Sequence, residues 1–212
     1  HYTYDAVGNR IAQVTESATN TYTYDIANRL TSVDGVAFTW DANGNLLSDG
    51  ASTYLYDPAN RLREVVQGDT SYTFTYDGLG DRVGQTLTGG ASSNYALDLA
   101  ARLMQALSDG TNTYLYGTGR IGEEQPAGWQ LYLSDALGSV RELVDPSGIA
   151  TLATSYEPFG GVLASSGSAE SVFDFTGEES SDEGLMYLRA RYYALSRGSF
   201  TTKDTLSGDD VY

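Results

Sequence analysis

A short motif recurs along this chain, and no single copy is long enough to bury a face by itself. Thr21-Tyr22-Thr23-Tyr24-Asp25-Ile26-Ala27-Asn28-Arg29-Leu30 returns in worn form as Val36 to Leu46, as Thr53 to Leu62 and as Tyr72 to Val83. A partial copy opens the chain at Tyr2 to Ile11. The motif aspartates are Asp5, Asp25, Asp41, Asp57 and Asp77, so the steps are 20, 16, 16 and 20 residues. Repeats of that size gain stability only by stacking on their neighbours into one continuous architecture.

Each copy reads as a β-hairpin. Aromatic residues stand two apart before the aspartate: Tyr22 and Tyr24, Phe38 and Trp40, Tyr54 and Tyr56, Phe74 and Tyr76. Period two places each pair on one face of a strand. The aspartate then starts the turn, because its carboxylate can accept backbone N–H groups just ahead of it. Gly or Asn three or four positions later tolerates the positive φ of a tight turn. The Arg-Leu or Asn-Leu that follows begins the return strand. Stacked hairpins are expected to align Tyr24, Trp40, Tyr56 and Tyr76 in an aromatic ladder, with Tyr22, Phe38, Tyr54 and Phe74 beside it. Seventeen tyrosines, with many Thr and Gly, agree with an all-β chain.

The regular copies end near Thr88. Gly89 to Asn94 reads as a small-residue loop. From Tyr95 to Leu107 propensity favours a helix, while the surroundings favour strands. Asp109-Gly110 reads as a turn, and Thr113 to Ile121 as a copy with Gly117 in the aspartate's place. Gly122 to Gly128 reads as an acidic loop. Beyond it the pattern changes, and the domains are drawn as a β-strip over 1–128 and a second domain over 129–212. Trp129 to Val144 is strand, turn at Asp135, strand. Ala150 to Tyr156 is a strand, Ala164 to Ser171 a soft polar loop, and Gly184 to Asp204 the last ordered block. In that block Leu185, Tyr187, Arg189 and Arg191 are expected to share one strand face, with Tyr192 and Tyr193 following.

Charge bounds the partners. The chain of 212 residues has 28 acids against 12 bases and a formal net charge of −16. Counterion release on nucleic acid needs clustered Lys and Arg, so nucleic acid is not expected as a partner. No apolar run approaches the roughly 18 residues of a membrane-spanning helix, and membrane insertion is not expected. Cysteine is absent, so composition does not report a redox compartment.

Catalytic and metal motifs are not apparent. His1 is the one histidine, which leaves no Ser-His-Asp arrangement. Asp41 to Asn45 faintly resembles a calcium loop, but Ser52 stands where the closing Glu would be, and it reads as a turn. The acid pairs Glu123-Glu124, Glu178-Glu179 and Asp209-Asp210 read as solvated surface. No metal and no cofactor is expected.

The Y-D-x-x-N-R-L copies resemble YD repeats. The later residues resemble the Rhs-repeat-associated core domain: Asp135 to Arg141, Tyr156 to Gly160, Phe175 to Gly177, Gly184 to Tyr193, and Gly198 to Phe200 with Asp204. The resemblance covers essentially the whole chain. It implies stacked hairpins in a spiralling strip or hollow shell closed by the core domain, with Tyr95 to Leu107 extended rather than helical. The family includes bacterial polymorphic toxins and insecticidal toxin complexes, whose shell encloses a C-terminal toxin, and teneurins, whose shell serves adhesion. It therefore implies a secreted or cell-surface setting. The expected partners are adjacent repeats or other copies and an enclosed toxin, with a carbohydrate or protein receptor as the alternative. Many family members cut themselves beyond the core through two aspartates. The second corresponds to Asp204, but Ala194 holds the first position, so catalysis is not expected and Asp204 is a weak candidate.

Overall fold

The structure, a computed structural model, describes residues 1–101 and 103–204. Among them there is no α-helix; a single 3₁₀ turn, Phe175–Gly177, interrupts an otherwise all-β chain. Two compact units are distinguished among the described residues, His1–Ser71 with 201–204, and Tyr72–Phe200.

In the first unit the strands Tyr2–Tyr4, Arg10–Val14, Thr19–Tyr24, Leu30–Val33 and Val36–Ala37 form a sheet whose spatial order is the sequence order. Thr39–Trp40, Leu46–Ser48, Ser52–Tyr56 and Leu62–Gln67 continue the same up-and-down course. Residues of the returning segment lie along the Asp41 turn: Leu46 N–H donates to Thr201 O at 2.8 Å and Lys203 N–H to Gly44 O at 3.0 Å. Leu30, Leu46, Leu62 and Val65 are buried with Tyr22 and Tyr54. Full burial of each such side chain is worth about 1.5–3 kcal/mol relative to exposure.

The second unit carries an eight-stranded antiparallel sheet from Ala96–Asp98 to Val162–Gly167, again in sequence order. It also carries a four-stranded sheet of Glu179–Ser180, Leu185–Leu188, Arg191–Ala194 and Ser199–Phe200. Its core gathers Tyr114, Tyr132, Val140, Leu143 and Phe173. Phe173 meets Tyr114 edge-on, with ring centroids 4.9 Å apart.

Every motif hairpin carries a one-residue register shift just before its turn. Thr23 pairs with Ser32 but Tyr24 pairs with Leu30, and Leu55 pairs with Glu64 but Tyr56 with Leu62. The shift is a β-bulge, which bends and twists the strand. It separates the two aromatics of the pairs that begin at Tyr22, Tyr54 and Phe74. Tyr22, Tyr54 and Phe74 are 2–4 % exposed, whereas Tyr24, Trp40, Tyr56 and Tyr76 are half-buried. Phe38 is also half-buried.

Four local expectations are corrected. Gly122 to Gly128 is not a loop: Arg120–Gln125 and Gly128–Ser134 are paired strands, and Glu123 is fully buried. Ala164 to Ser171 begins as strand, since Val162–Gly167 pairs with Ala150–Tyr156; a neighbouring ladder of unpaired backbone groups outweighs the poor propensity of Ser and Gly. Gly89 to Asn94 ends in the strand Ser92–Asn94, with the turn confined to 88–91. The block from Gly184 is a hairpin rather than one strand. Arg189 sits in its turn at φ +59°, so Arg189 and Arg191 do not share a strand face; Tyr187 and Tyr192 pair across it instead. Within 95–107 the extended course is seen in the strands Ala96–Asp98 and Gln105–Ser108, which pair antiparallel.

Candidate functional site

The turn aspartates share one geometry. The carboxylates of Asp5, Asp25, Asp41, Asp57, Asp77 and Asp135 each accept the N–H groups two and four residues ahead, at 2.8–3.0 Å. Each aspartate N–H returns to the carbonyl four residues on. The third residue after each takes positive φ, as Gly8, Asn28, Gly44, Asn60, Gly80 and Gly138. Asn28 and Asn60 manage this because a short polar side chain tolerates the left-handed region. Neighbouring turns are stitched through Asn9 to Asn28, and through Asn43 and Asn45 to Asn60. At Asp25 and Asp57 desolvation works to raise the pKa, but hydrogen bonds from Arg29 and Arg61 outweigh it and hold each carboxyl below its ordinary value. The Asp41 carboxylate is spent on Asn43 and Asn45. Among the described residues no group of three metal-ligating side chains converges.

The second aromatic of each pair is a tether. Its polar edge donates to a backbone carbonyl of another strand: Tyr24 to Arg10 O at 3.0 Å, Trp40 to Leu30 O at 2.8 Å, Tyr56 to Thr201 O at 3.2 Å. Tyr116 and Tyr156 repeat the device on Ala106 O and Val140 O. Tyr76 instead donates to the Tyr192 hydroxyl. The half-burial of these rings follows, since an amphipathic ring buries its body while its polar tip finds a partner.

Opposite the aromatic that precedes each turn lies the first residue of the return strand. Leu30, Leu46 and Leu62 hold that place opposite Tyr24, Trp40 and Tyr56; Arg10, Arg82 and Arg120 hold it opposite Tyr4, Tyr76 and Tyr116. All three arginines stack on aromatic rings. Arg10 lies 4.2 Å from the Tyr22 centroid, Arg82 4.1 Å from Tyr187, and Arg120 3.1 Å from Phe173.

Inside the second unit Arg82 is 2 % exposed and forms an ion pair with Glu179. Tyr95 donates to Glu179 at 2.7 Å, and Arg82 N–H donates to the Tyr187 hydroxyl at 3.2 Å. The pair is embedded among rings, which is how so buried a guanidinium is tolerated. Arg189 pairs with Glu178 at 2.8 Å and donates to Met104 O. Glu123 accepts from Tyr132 at 2.6 Å and from Gln125 at 2.7 Å. Desolvation pushes its pKa up, as it does at Asp174 and Glu183. A cavity of about 320 Å³ opens among these groups, lined by Arg82, Arg120, Arg189, Glu178, Glu179 and aromatic rings.

Three of these residues were missed in the sequence reading. Glu123, Glu178 and Glu179 looked like surface pairs; Glu123 is covered by Tyr132 of the next strand, Glu178 meets Arg189, and Glu179 meets Arg82 and Tyr95 from strands distant in sequence. Arg82 left a trace: arginine follows Asp25 and Asp57 by four residues but Asp77 by five, and that one-residue step moves it into the leucine position. Arg191 stacks on Phe200 at 3.7 Å, and Tyr193 donates to Phe159 O at 3.3 Å. Ala194 is buried at the end of its strand, and Asp204 is half-buried. Asp209-Asp210 lies outside the described residues.

The family model of the teneurin YD-shell matches residues 1–211. The chain is 32% identical over 225 residues to the tRNA3(Ser)-specific nuclease WapA of Bacillus spizizenii. It is 31% identical to the tRNA nuclease WapA of Bacillus subtilis strain 168. Each alignment covers 99% of this chain and 10% of the relative, so the chain spans about a tenth of the length of the curated relatives it matches. Among solved structures it is similar to the TcdB2-TccC3 complex, with a TM-score of 0.76 at 19% identity over 100% of this chain and 13% of that one. It is also similar to the Photorhabdus luminescens Tc holotoxin pore, with a TM-score of 0.55 at 16% identity over 100% of this chain and 16% of that one. At those identities the likeness is one of fold.

Proposed function

The chain belongs to the teneurin YD-shell family, and from that premise we propose that it is a wall segment of a shell that encloses a polypeptide, with a C-terminal toxin as the cargo class. The observation that carries this reading is the match of nearly the whole chain to a tenth of proteins named as tRNA nucleases. A surface of net charge −16 is a poor holder of tRNA phosphates. The nuclease chemistry of such proteins then belongs outside the matched tenth, and the matched part supplies wall. Sequence-neighbour pairing, stitched turns and carbonyl tethers suit a wall: the Asp5 turn is joined to the Asp25 turn and the Asp41 turn to the Asp57 turn, and Tyr24 and Trp40 are fastened to Arg10 O and Leu30 O.

In this reading residues 1–128 are the repeat strip and 129–212 the core domain, and the setting is secreted or cell-surface. The chain is not itself a catalyst, since Ala194 stands where the family resemblance calls for an aspartate and leaves Asp204 without its counterpart. The test is electron cryo-microscopy and limited proteolysis of the full-length protein that carries this chain. A closed wall is expected, with an enclosed polypeptide that protease spares until denaturant opens the shell. A solid particle with every segment cut at the same rate would instead favour an adhesion module that binds sugars or proteins on its outer face. Cleavage of tRNA by the 212-residue chain alone would overturn the non-enzymatic assignment.

A further inference from the structure

Of the three arginines that take leucine's place opposite the aromatic before the turn, Arg120 has hydrogen-bond partners that leave its charge unanswered. Its Nη1 donates to Gly177 O at 2.8 Å and its Nε to the Tyr116 hydroxyl at 3.4 Å, both neutral acceptors. Arg82 and Arg189, which line the same cavity, are paired with Glu179 and Glu178. Glu123 lies near enough to feel the charge of Arg120, but its oxygens are taken by Tyr132 and Gln125. Among the described residues no hydrogen bond is made by Nη2 of Arg120 or by Nη2 of Arg189. The cavity thus carries three cations against two carboxylates, in a chain whose net charge is −16.

The geometry points to an anion site: the cavity binds a small carboxylate carried on a compact apolar or aromatic body. The half-buried guanidinium of Arg120 lies 3.1 Å from the Phe173 centroid and 5.8 Å from that of Tyr132, so an anion entering the cavity meets a charge that no ion pair answers among the described residues. The planar fork of arginine matches a planar carboxylate. The remaining walls, Leu97, Met104, Val140 and Phe173, are apolar and offer a place for the body of the ligand. A volume of about 320 Å³ is at the small end of ligand pockets and admits one small molecule or one terminal residue. The carboxylate can belong to a free small acid or to the C-terminus of a polypeptide.

Calorimetric titration of the 212-residue chain tests this. The probes are 3-phenylpropionate, its neutral amide, and a tetrapeptide ending in phenylalanine with its terminus free or amidated. The acids are expected to bind at least tenfold more tightly than the amides, with affinity falling as salt rises. Arg120→Gln is expected to lose the same tenfold, its fold checked by circular dichroism and denaturation midpoint, while Arg61→Gln on an exposed turn leaves affinity unchanged. Binding of phenylpropionate but not of the tetrapeptide assigns the site to free small acids; binding of the free-acid tetrapeptide assigns it to a polypeptide terminus. Equal affinity for acid and amide overturns the proposal, as does unchanged affinity in a folded Arg120→Gln chain. So does an absence of binding at about 10 mM acid, weaker than the millimolar range that a few kcal/mol supply. If Arg120→Gln does not fold, the comparison of acid with amide on the unaltered chain decides.

Discussion

The turn pair Asp57–Arg61 and the interior pair Glu179–Arg82 are built from the same two groups and do different work. In the turn, the arginine side chain is 35% exposed and the carboxylate 16%; in the interior, the arginine is 2% exposed and the carboxylate 12%. Water screens the first pair, so its Coulomb energy is small. What Asp57 contributes is geometric: it pins the backbone N–H groups of Ala59 and Arg61 and holds a five-residue turn in one conformation. The second pair is paid for in desolvation and is secure only while every partner is present. Repetition along the strip therefore rests on many weak, local, replaceable contacts. The second unit rests on a few strong ones that tolerate no gap.

The largest test of that contrast is removal of one arginine from each pair. Arg82→Met strands Glu179 in the interior and is expected to cost about 3–5 kcal/mol in chemical denaturation. Arg61→Met is expected to cost about 0.3–0.5 kcal/mol. Replacing Arg82 and Glu179 together by Met and Leu should recover much of the first loss, because an apolar pair leaves no orphan charge. Equal losses from the two single changes would erase the distinction between the regions.

A middle-sized effect separates tether from filler. Tyr24→Phe keeps the ring but removes the hydrogen bond to Arg10 O, and about 0.5–1.5 kcal/mol should be lost. A loss indistinguishable from zero would mean that the ring alone fastens one hairpin to the next.

The smallest effect is a difference in sign with pH. Asp57 has a folded pKa below its ordinary 3.8, so its contribution is present above that value and is lost as pH falls through the folded one. Glu123 has a folded pKa above its ordinary 4.5, so its cost is absent below that value and grows as pH rises through the folded one. Against the unaltered chain, Asp57→Asn should therefore be most destabilising near neutrality and least in acid. Glu123→Gln should compare more favourably near neutrality than in acid. Denaturation midpoints of both variants between pH 3 and pH 7 check this, with the Asp57 change on the order of 0.5 kcal/mol. Parallel pH profiles for the two would show that burial does not divide the carboxylates.

Much of the strip was legible because its causes are local. An aromatic pair two residues apart, an aspartate, a Gly or Asn at the third place and a Leu or Val beyond it define a strand, a turn and a return strand within about ten residues. The same locality explains the misreadings. Val162–Gly167 has no strand signature of its own, and it is a strand because Ala150–Tyr156 offers it a ladder. Glu123 reads as surface until Tyr132 closes over it from the next strand. Leu185 to Tyr192 reads with strand periodicity, yet Arg189 adopts positive φ and folds it back so that Tyr187 and Tyr192 meet.

The sequence by itself determined the all-β class, the hairpin as the unit and the position of the motif turns at Asp5, Asp25, Asp41, Asp57 and Asp77, because each of these is decided by residues within reach of one another along the chain. Tertiary structure alone decided that Tyr22, Tyr54 and Phe74 are core while Tyr24, Tyr56 and Tyr76 reach out to a partner, since the bulge that separates them is a property of two strands. It also decided where charge is buried. Arg82 meets Glu179, and Arg120 stacks on Phe173, across separations of 97 and 53 residues. No local pattern encodes such a meeting; it exists only once the strands have been brought together and water has been driven out from between them.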